Sequence, residues 1–229
     1  MMTLSEAIDA RHSVRRYLNE PLTADQTAAL QAAVERINRE AGLHVQLVLN
    51  EPRGFSTGLA YGTFKGVGNY LVMAGRKAPD LNERVGYYGE QLVLLAWQLG
   101  LGSCWAGLTY RSVKDAYRLE PGEKVVCMIA LGHPDDERRR PRRKRAEQVS
   151  NVSDLTPAWF RQGVEAAIKA PTAVHQQKFY LEYLDAGQGL PRVRARRLFS
   201  LVGYTQTDLG IVKLHFEIGA GRENFAWAD

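Results

Sequence analysis

The feature that most constrains the fold is a long apolar segment in the middle of the chain. Residues 82–100 would place apolar side chains around most of the circumference of a helix. Because a helix at the surface keeps a broad polar face, this segment predicts a helix at the centre of the molecule. Residues 211–221 resemble residues 92–102 at an offset of 119 residues, and both of these segments end in Gly-x-Gly, with Gly100 opposite Gly219. The match predicts an internal duplication with two central helices.

Local signals predict the same order of elements in both halves of the chain, a helix that begins after Leu-Thr and then a strand. Capping boxes predict helices that begin after Thr3 and after Thr23. In the second half, Thr156 is the predicted N-cap of a helix with Pro157 at its first position. Alternating or continuous apolar residues predict the strands. The predicted strands cover residues 44–50, 69–75, 124–132 and 179–185.

The basic charge of the chain is concentrated in one segment. The formal net charge is +5, and residues 138–145, RRRPRRKR, hold seven cations, without which the net charge would be −2. The sequence has no apolar run of about 18 residues and no signal peptide, which predicts no membrane span and a cytoplasmic location. Cys104 and Cys127 lie in apolar sequence and match neither a disulfide framework nor a metal site, which predicts two buried thiols.

Residues 11–15, RHSVR, follow the predicted first helix and carry polar side chains that suit an anion. In an extended segment, Arg11, Ser13 and Arg15 lie on one face, because successive side chains alternate. Two guanidinium groups and a hydroxyl on one face suit a phosphate group. The alternative is a solvated helix C-terminus, where the helix dipole favours cations.

RHSVR resembles the Arg-x-Ser-x-Arg/Lys segment that follows the first helix of FMN-dependent nitroreductases. Residues 170–179, APTAVHQQKF, are similar to that family's Ala-Pro-Ser-x-x-Asn-x-Gln-Pro-Trp turn, with His175 in place of asparagine. The resemblance implies that Arg11 and Ser13 bind the phosphate side of FMN. It also implies that Arg15 lies at N1 and O2 of the flavin, where a cation stabilises the negative charge of the reduced form. In homodimeric relatives the turn comes from the other subunit.

Two more segments resemble the same family. Residues 99–108, LGLGSCWAGL, are similar to the end of its central helix and the strand that passes the flavin. Residues 131–149, with the basic run, are similar to its phosphate clamp. The implied FMN-binding residues are Arg11, His12, Ser13, Arg15, Ala106, Gly107, Leu108, Arg143, Arg145, Pro171, Thr172, Ala173 and His175.

The expected fold is α+β and nitroreductase-like, with a mostly antiparallel sheet flanked by helices, long central apolar helices and a pseudo-twofold axis within one chain. A first half, residues 1–150, would hold RHSVR and the phosphate clamp. An abbreviated second half, residues 151–229, would hold the turn and the second central helix, in one compact unit. Since RHSVR and the turn each occur once, one composite FMN site is expected, and a monomer that imitates a dimer is favoured over a homodimer.

The resemblance implies an FMN-dependent oxidoreductase that transfers electrons from NADH or NADPH to a nitroaromatic compound, a quinone or a similar small-molecule acceptor. The cofactor would carry the chemistry, so neither a catalytic side chain nor a metal is expected. One alternative is a family member with different flavin chemistry, such as flavin fragmentation or dehalogenation. The other is a non-catalytic protein that binds anions or nucleic acid through residues 138–145, although aromatic residues do not alternate with these cations.

Overall fold

The structure is a computed structural model, and it describes residues 2–56, 64–135, 142–184, 187 and 189–228. The helices are α1 (Leu4–Ala10), α2 (Ala24–Ala41), α3 (Leu81–Gln98), α4 (Ala158–Ile168) and α5 (Thr205–Ala220). The strands are β1 (Gln46–Val48), β2 (Asn69–Arg76), β3 (Gly102–Ala106), β4 (Glu123–Gly132), β5 (Phe179–Leu184), β6 (Arg192–Arg197) and β7 (Ala226–Trp227). No helix within these ranges combines the length and the apolar character that a membrane span needs.

The strands form two sheets, one in each half of the chain. A four-stranded sheet has the order β1-β2-β4-β3, and every neighbouring pair in it is antiparallel. A three-stranded sheet has the order β5-β6-β7, in which β5 and β6 are antiparallel and β6 and β7 are parallel. The predicted α+β class with mostly antiparallel strands is therefore confirmed.

The first two helices begin where the sequence predicts. The Thr3 and Thr23 hydroxyls accept hydrogen bonds from the backbone amides of Glu6 and Gln26, each at 3.2 Å, and the side chains of Glu6 and Gln26 bond back to the capping residues. α2 ends at Gly42, whose φ of 58° lies in the left-handed region that glycine adopts without strain. Both helix starts follow from four consecutive residues, which is why they are predictable.

α3 and α5 cross at the centre of the molecule with their backbones in direct contact. A Cβ atom on Gly86 would lie 2.0 Å from the Thr207 carbonyl oxygen, and one on Gly210 would lie 2.0 Å from the Glu83 carbonyl oxygen. Carbon and oxygen normally meet at about 3.3 Å or more, so both positions admit only glycine. The contact is reciprocal. Each glycine is the sixth residue of its helix, and each approaches the carbonyl of the residue that lies three positions before the glycine of the other helix.

Each half buries its own hydrophobic core beside this crossing. The first core joins α2 and α3 to the four-stranded sheet and includes Leu30, Leu71 and Leu92. The second joins α4 and α5 to the three-stranded sheet and is rich in aromatic residues, with the Phe160 and Phe216 ring centroids 5.6 Å apart. The two cores are held together mainly through the contact of α3 with α5.

Several details differ from the expectation. Pro157 rather than Thr156 is the N-cap of α4, because the Thr156 hydroxyl donates to the Ser153 carbonyl at 2.7 Å instead. β6 and β7 are additional strands, and the arginine-rich sequence of β6 hides its alternation. Gly219 lies inside α5, whereas Gly100 lies beyond the end of α3 with a φ of 78°. The two glycines thus do not occupy equivalent positions, and the sequence offset of 119 residues does not describe how the helices correspond.

We predict that Gly210→Ala lowers the free energy of unfolding by about 3 kcal/mol, because the added methyl group forces α3 and α5 apart. Urea denaturation of the wild type and the variant measures this difference. Gly68→Ala is the matched control, because no atom lies within 4 Å of the Cβ position there. Equal losses in the two variants would contradict the close approach of the helices.

Candidate functional site

The segment that carries RHSVR is extended and lies beside β3. Arg11 is the C-cap of α1, and its φ of −62° and ψ of 141° direct the chain out of the helix. Ser13 then pairs in parallel with Ser103, and the Val14 amide donates to the Ser103 carbonyl at 3.0 Å. Further along, the Tyr17 hydroxyl donates to the Val14 carbonyl at 2.7 Å. The backbone between residues 11 and 17 is thus fixed against the start of β3, and Arg15 is exposed on it.

Arg11 joins the first half of the chain to the second. Its side chain is buried, and Nη1 donates to the Lys169 carbonyl at 3.4 Å. Lys169 is the C-cap of α4, and its ammonium group forms an ion pair with Asp9 of α1. The C-terminal ends of α1 and α4 therefore lie together, and the turn at residues 170–177 begins directly after this contact.

The turn is tied to the basic segment through Gln177 and Lys144. The buried Gln177 side chain accepts from the Lys144 amide at 2.8 Å and donates to the Ile168 carbonyl at 3.0 Å. The Lys144 ammonium group donates to the Gln177 carbonyl at 2.7 Å, and the Gln177 amide donates to the Thr172 hydroxyl at 3.0 Å. Burial lowers the pKa of Lys144, and the charge of Lys178 lowers it further. These bonds fix residues 142–145 relative to the turn.

On its other side, the turn is held by the buried carboxylate of Asp208 in the first turn of α5. One oxygen accepts from the Ala173 amide at 2.9 Å, and the other accepts from the Gln176 side chain at 2.7 Å. Burial raises the pKa of Asp208 to about 6, although both hydrogen bonds act in the opposite direction. Asp208 therefore places the turn against the N-terminus of the second central helix.

Arg11 and Arg143, from opposite ends of the first half of the chain, both lie near His175. Its Nε2 atom lies 2.9 Å from the Arg142 carbonyl, and because a carbonyl can only accept, this nitrogen carries the proton. Burial lowers the pKa of His175, and the nearby charges of Arg143 and Arg11 lower it further, against the effect of the Arg142 hydrogen bond. Residues 11, 143 and 175 are thus close enough to interact, although they are far apart in sequence. At neutral pH the two guanidinium groups are positively charged and the imidazole is neutral. The region is therefore suitable for an anionic group.

The other end of β3 leads into a segment of small residues. Ala106 is buried, Gly107 is half-buried and Leu108 is exposed. A rise of 3.3 Å per residue puts Ser103 and Gly107 about 13 Å apart. The sequence-predicted residues are therefore distributed over a cation-rich region at one end of β3 and a region of small residues at the other.

The remaining predicted residues differ in exposure and in contacts. Arg145 is exposed at the start of a 3-10 turn, where its amide donates to the Gln148 side chain at 2.9 Å. The His12 ring packs against Trp97, with centroids 5.0 Å apart. Residues 138–141 of the basic run lie outside the described residues. Pro171, Thr172 and Ala173 lie half-buried in the turn.

Sequence reasoning missed the residues that hold the site together, which include Lys144, Asp208 and Tyr204. Lys144 had no signal that separated it from the neighbouring arginines. Asp208 did have one, because a carboxylate in a helix that is predicted to be central is expected to have a buried partner. Tyr204 was visible only as an aromatic residue before that helix.

The chain belongs to the nitroreductases, since the family model described as "Putative TM nitroreductase" matches residues 3–220. Family membership assigns it to the oxidoreductases. A solved Thermotoga maritima structure of the same description has a TM-score of 0.63 and 22% identity, and the match covers 97% of this chain and 85% of that one.

A Desulfovibrio desulfuricans nitroreductase structure, in complex with FMN, has a TM-score of 0.53 and 20% identity, and the match covers 67% of this chain and 98% of that one. A Parabacteroides distasonis structure, described as an NADH dehydrogenase/NAD(P)H nitroreductase, has a TM-score of 0.52 and 20% identity, with 64% of this chain and 95% of that one covered. These similarities show the nitroreductase fold. No curated protein matches the chain.

The buried carboxyl group of Asp208 predicts a pH dependence of stability. Its pKa of about 6 in the folded protein exceeds the value of about 4 in an unfolded chain, so the folded state binds this proton more tightly. The stabilisation is complete below about pH 4 and is lost as the pH rises through about 6. The lost stability is on the order of 3 kcal/mol. We expect Asp208→Asn to abolish this loss, as measured by the free energy of unfolding between about pH 4 and pH 7.5.

Asp154→Asn is the control for this experiment, because the Asp154 side chain is exposed. Its stability should follow the wild-type pH dependence. If the curves of wild type and Asp208→Asn run parallel over this range, the raised pKa of Asp208 is wrong.

Proposed function

We propose that the protein is an FMN-dependent oxidoreductase that takes electrons from NADH or NADPH and passes them to a small oxidised acceptor. The observation that carries this proposal is that Arg11 and Arg143 both lie near His175 at one end of the candidate site, and that Gly107, which has no side chain, lies beyond the other end of β3. An elongated ligand with a phosphate at one end and a planar ring at the other suits this arrangement.

The cation-rich end suits the phosphate of FMN. Arg11 comes from the end of α1, and Arg143 comes from the segment that Lys144 fixes to the turn. Guanidinium groups bind phosphate oxygens through paired hydrogen bonds, and their charge does not depend on pH in the physiological range. Because the pKa of His175 is lowered, its imidazole adds no further positive charge at neutral pH. Arg145 and Ser13 would complete the phosphate and ribityl contacts.

The other end suits the flavin ring system. Ala106 and Gly107 place no bulky side chain of their own beside a planar ring, and Thr172 and Ala173 offer a second small surface from the turn. Arg15 would supply a cation at the pyrimidine edge. When bound, FMN would accept two electrons from the reduced nicotinamide and deliver them to the acceptor. The role of the chain is to bind, orient and shield the reactants.

We propose further that one chain supplies what two subunits supply in homodimeric relatives. The reciprocal contact of Gly86 and Gly210 has the form of a twofold interface, in which each partner makes the same contact with the other. About two thirds of this chain accounts for nearly the whole length of the Desulfovibrio desulfuricans structure, which leaves a third for an additional contribution. The turn with His175 would be that contribution. The protein would then be active as a monomer.

Nitroaromatic compounds and quinones are the acceptor class that fits the surface beside Gly107. Leu108 and Val174 are exposed apolar side chains in the two segments assigned to the flavin ring. An aromatic acceptor would bury part of this apolar surface, which favours its binding.

The absorption spectrum of the purified protein tests the cofactor assignment. We expect flavin bands that bleach anaerobically when NADH or NADPH is added. Protein that is colourless and does not take up added FMN would overturn the proposed function. Bound FMN that neither nicotinamide reduces would instead indicate different flavin chemistry, such as fragmentation or dehalogenation.

We predict that Arg11→Ala and Arg145→Ala each weaken FMN binding by roughly tenfold to a hundredfold, the effect of losing a hydrogen bond to a charged group. Fluorescence titration with FMN measures the dissociation constants. Arg118→Ala, which removes an exposed arginine between β3 and β4, is the control with the same change in net charge. Arg11→Lys should retain part of the affinity because the charge remains. FMN dissociation constants that stay at the wild-type value in both alanine variants would disprove the phosphate site.

A further inference from the structure

Tyr204 lies directly on the backbone of Gly107. A Cβ atom on Gly107 would be 2.6 Å from Cζ, 2.8 Å from the hydroxyl oxygen and 3.0 Å from Cε1 of Tyr204. The space that a side chain at position 107 would occupy is therefore filled by a phenol ring from the second half of the chain. This contact links the segment after β3 to the start of α5, over nearly 100 residues of sequence.

The backbone of Tyr204 is strained, and neither helix capping nor conformational preference accounts for a tyrosine there. Its φ is 58° and its ψ is 2°, in the left-handed region that costs a bulky residue about 1–3 kcal/mol. It is the N-cap of α5, yet its side chain makes no capping hydrogen bond, whereas serine, threonine, aspartate or asparagine would make one. A strained residue at a candidate site points to a role for its side chain.

Tyr204 lies between the two segments assigned to the flavin ring. On one side it contacts Gly107. On the other side, the Gln176 side chain donates to the Gly203 carbonyl at 3.0 Å and to Asp208 at 2.7 Å, which fixes the turn against the start of α5. The Tyr204 carbonyl accepts from the Asp208 amide at 2.9 Å. The backbone of Tyr204 is thus held by some of the same hydrogen bonds that hold the turn.

The Tyr204 hydroxyl is a donor at neutral pH. Burial raises its pKa, and the nearby Cys127 raises it further, so the phenol stays protonated. Within the described part of the chain, the hydroxyl makes no hydrogen bond of its own. The adjoining segments carry exposed apolar side chains: Leu108 follows Gly107 with 76% of its surface accessible, and Phe199 and Leu201, shortly before Tyr204, are 81% and 93% accessible.

We propose that Tyr204 is a specificity-determining residue of the acceptor site, where its hydroxyl donates a hydrogen bond to an oxygen atom of an aromatic acceptor. The ring also covers the edge of the flavin at Gly107. The ligand class is an aromatic molecule with an oxygen substituent, because the Tyr204 hydroxyl is a donor and the neighbouring segments carry the exposed apolar side chains of Leu108, Phe199 and Leu201. This inference rests on the proposed function, and it assigns to the second half of the chain a residue that contacts the substrate.

The test uses the oxidised, FMN-loaded protein, in which an acceptor binds without reacting. Nitrobenzene carries the oxygen atoms and toluene lacks them, and changes in the flavin absorption spectrum give both dissociation constants. Loss of one hydrogen bond predicts that Tyr204→Phe weakens nitrobenzene binding by about threefold to tenfold and leaves toluene binding unchanged. Tyr183→Phe is the matched control, because Tyr183 packs against Trp159 in the second core.

Flavin fluorescence provides a second measurement that does not depend on turnover. A tyrosine ring in contact with the flavin quenches its emission by electron transfer, and phenylalanine does not. Bound FMN should therefore fluoresce several times more strongly in Tyr204→Phe than in the wild type or in Tyr183→Phe. The FMN dissociation constant should change by less than about twofold, because the ring is retained.

Three outcomes would count against the proposal. Nitrobenzene binding and FMN emission that both equal the wild type in Tyr204→Phe would overturn the role of Tyr204 while leaving the proposed function intact. Tighter FMN binding in Tyr204→Ala would show that the tyrosine ring occupies the place assigned to the flavin. That result would also overturn the role of Tyr204. Failure of the wild type to bind FMN would overturn the proposed function and this inference together.

Discussion

The backbone contact between Gly86 of α3 and Gly210 of α5 is the constraint on which the rest of the structure depends. Because neither residue has a side chain, the two helices approach closely enough for polar groups to bond directly across the interface. Lys213 and Glu83 form an ion pair at 2.5 Å, and the Tyr87 hydroxyl donates to Glu217 at 2.5 Å. A wider separation would break these bonds together. The position of α5 in turn sets Tyr204 and Asp208, and through them the turn that completes the candidate site.

A buried polar group fixes β3 to the same interface. The His215 Nδ1 atom faces the Ala166 carbonyl at 3.2 Å and must carry a proton, since the carbonyl can only accept. Its Nε2 atom lies 2.8 Å from Glu90, so one more proton lies between these two groups, whichever of them holds it. The Trp105 indole donates to the other Glu90 oxygen at 2.9 Å. All these buried polar atoms are therefore satisfied, which makes the group rigid rather than destabilising. Because Trp105 directly precedes Ala106, the end of β3 is held in register with the second half.

Structure that depends on residues close together in sequence could be predicted, and contacts between residues far apart in sequence could not. The capping box at Thr23 and the left-handed Gly42 depend on near neighbours, and the helix between them was predictable. RHSVR and the turn could be recognised as segments, but the contacts that join them could not. The bond from Ala173 to Asp208 spans 35 residues, and those from Lys144 to Gln177 span 33. Such partners are determined by packing of α4 and α5, and no local pattern indicates them.

The left-handed backbone of the turn explains why histidine can stand where the family's turn has asparagine. Val174, His175 and Gln177 have φ values of 45°, 56° and 46°. Asparagine, aspartate and histidine are the non-glycine residues found most often in this region, so His175 keeps the backbone compatible while its side chain changes. The β-branched Val174 has no such preference and adds strain of about 1–3 kcal/mol, which the bonds to Asp208 offset on one side of the turn. Burial lowers the pKa of the imidazole and so favours its neutral form, which donates to the carbonyl of Arg142. The histidine therefore adds a hydrogen bond between the turn and the basic segment.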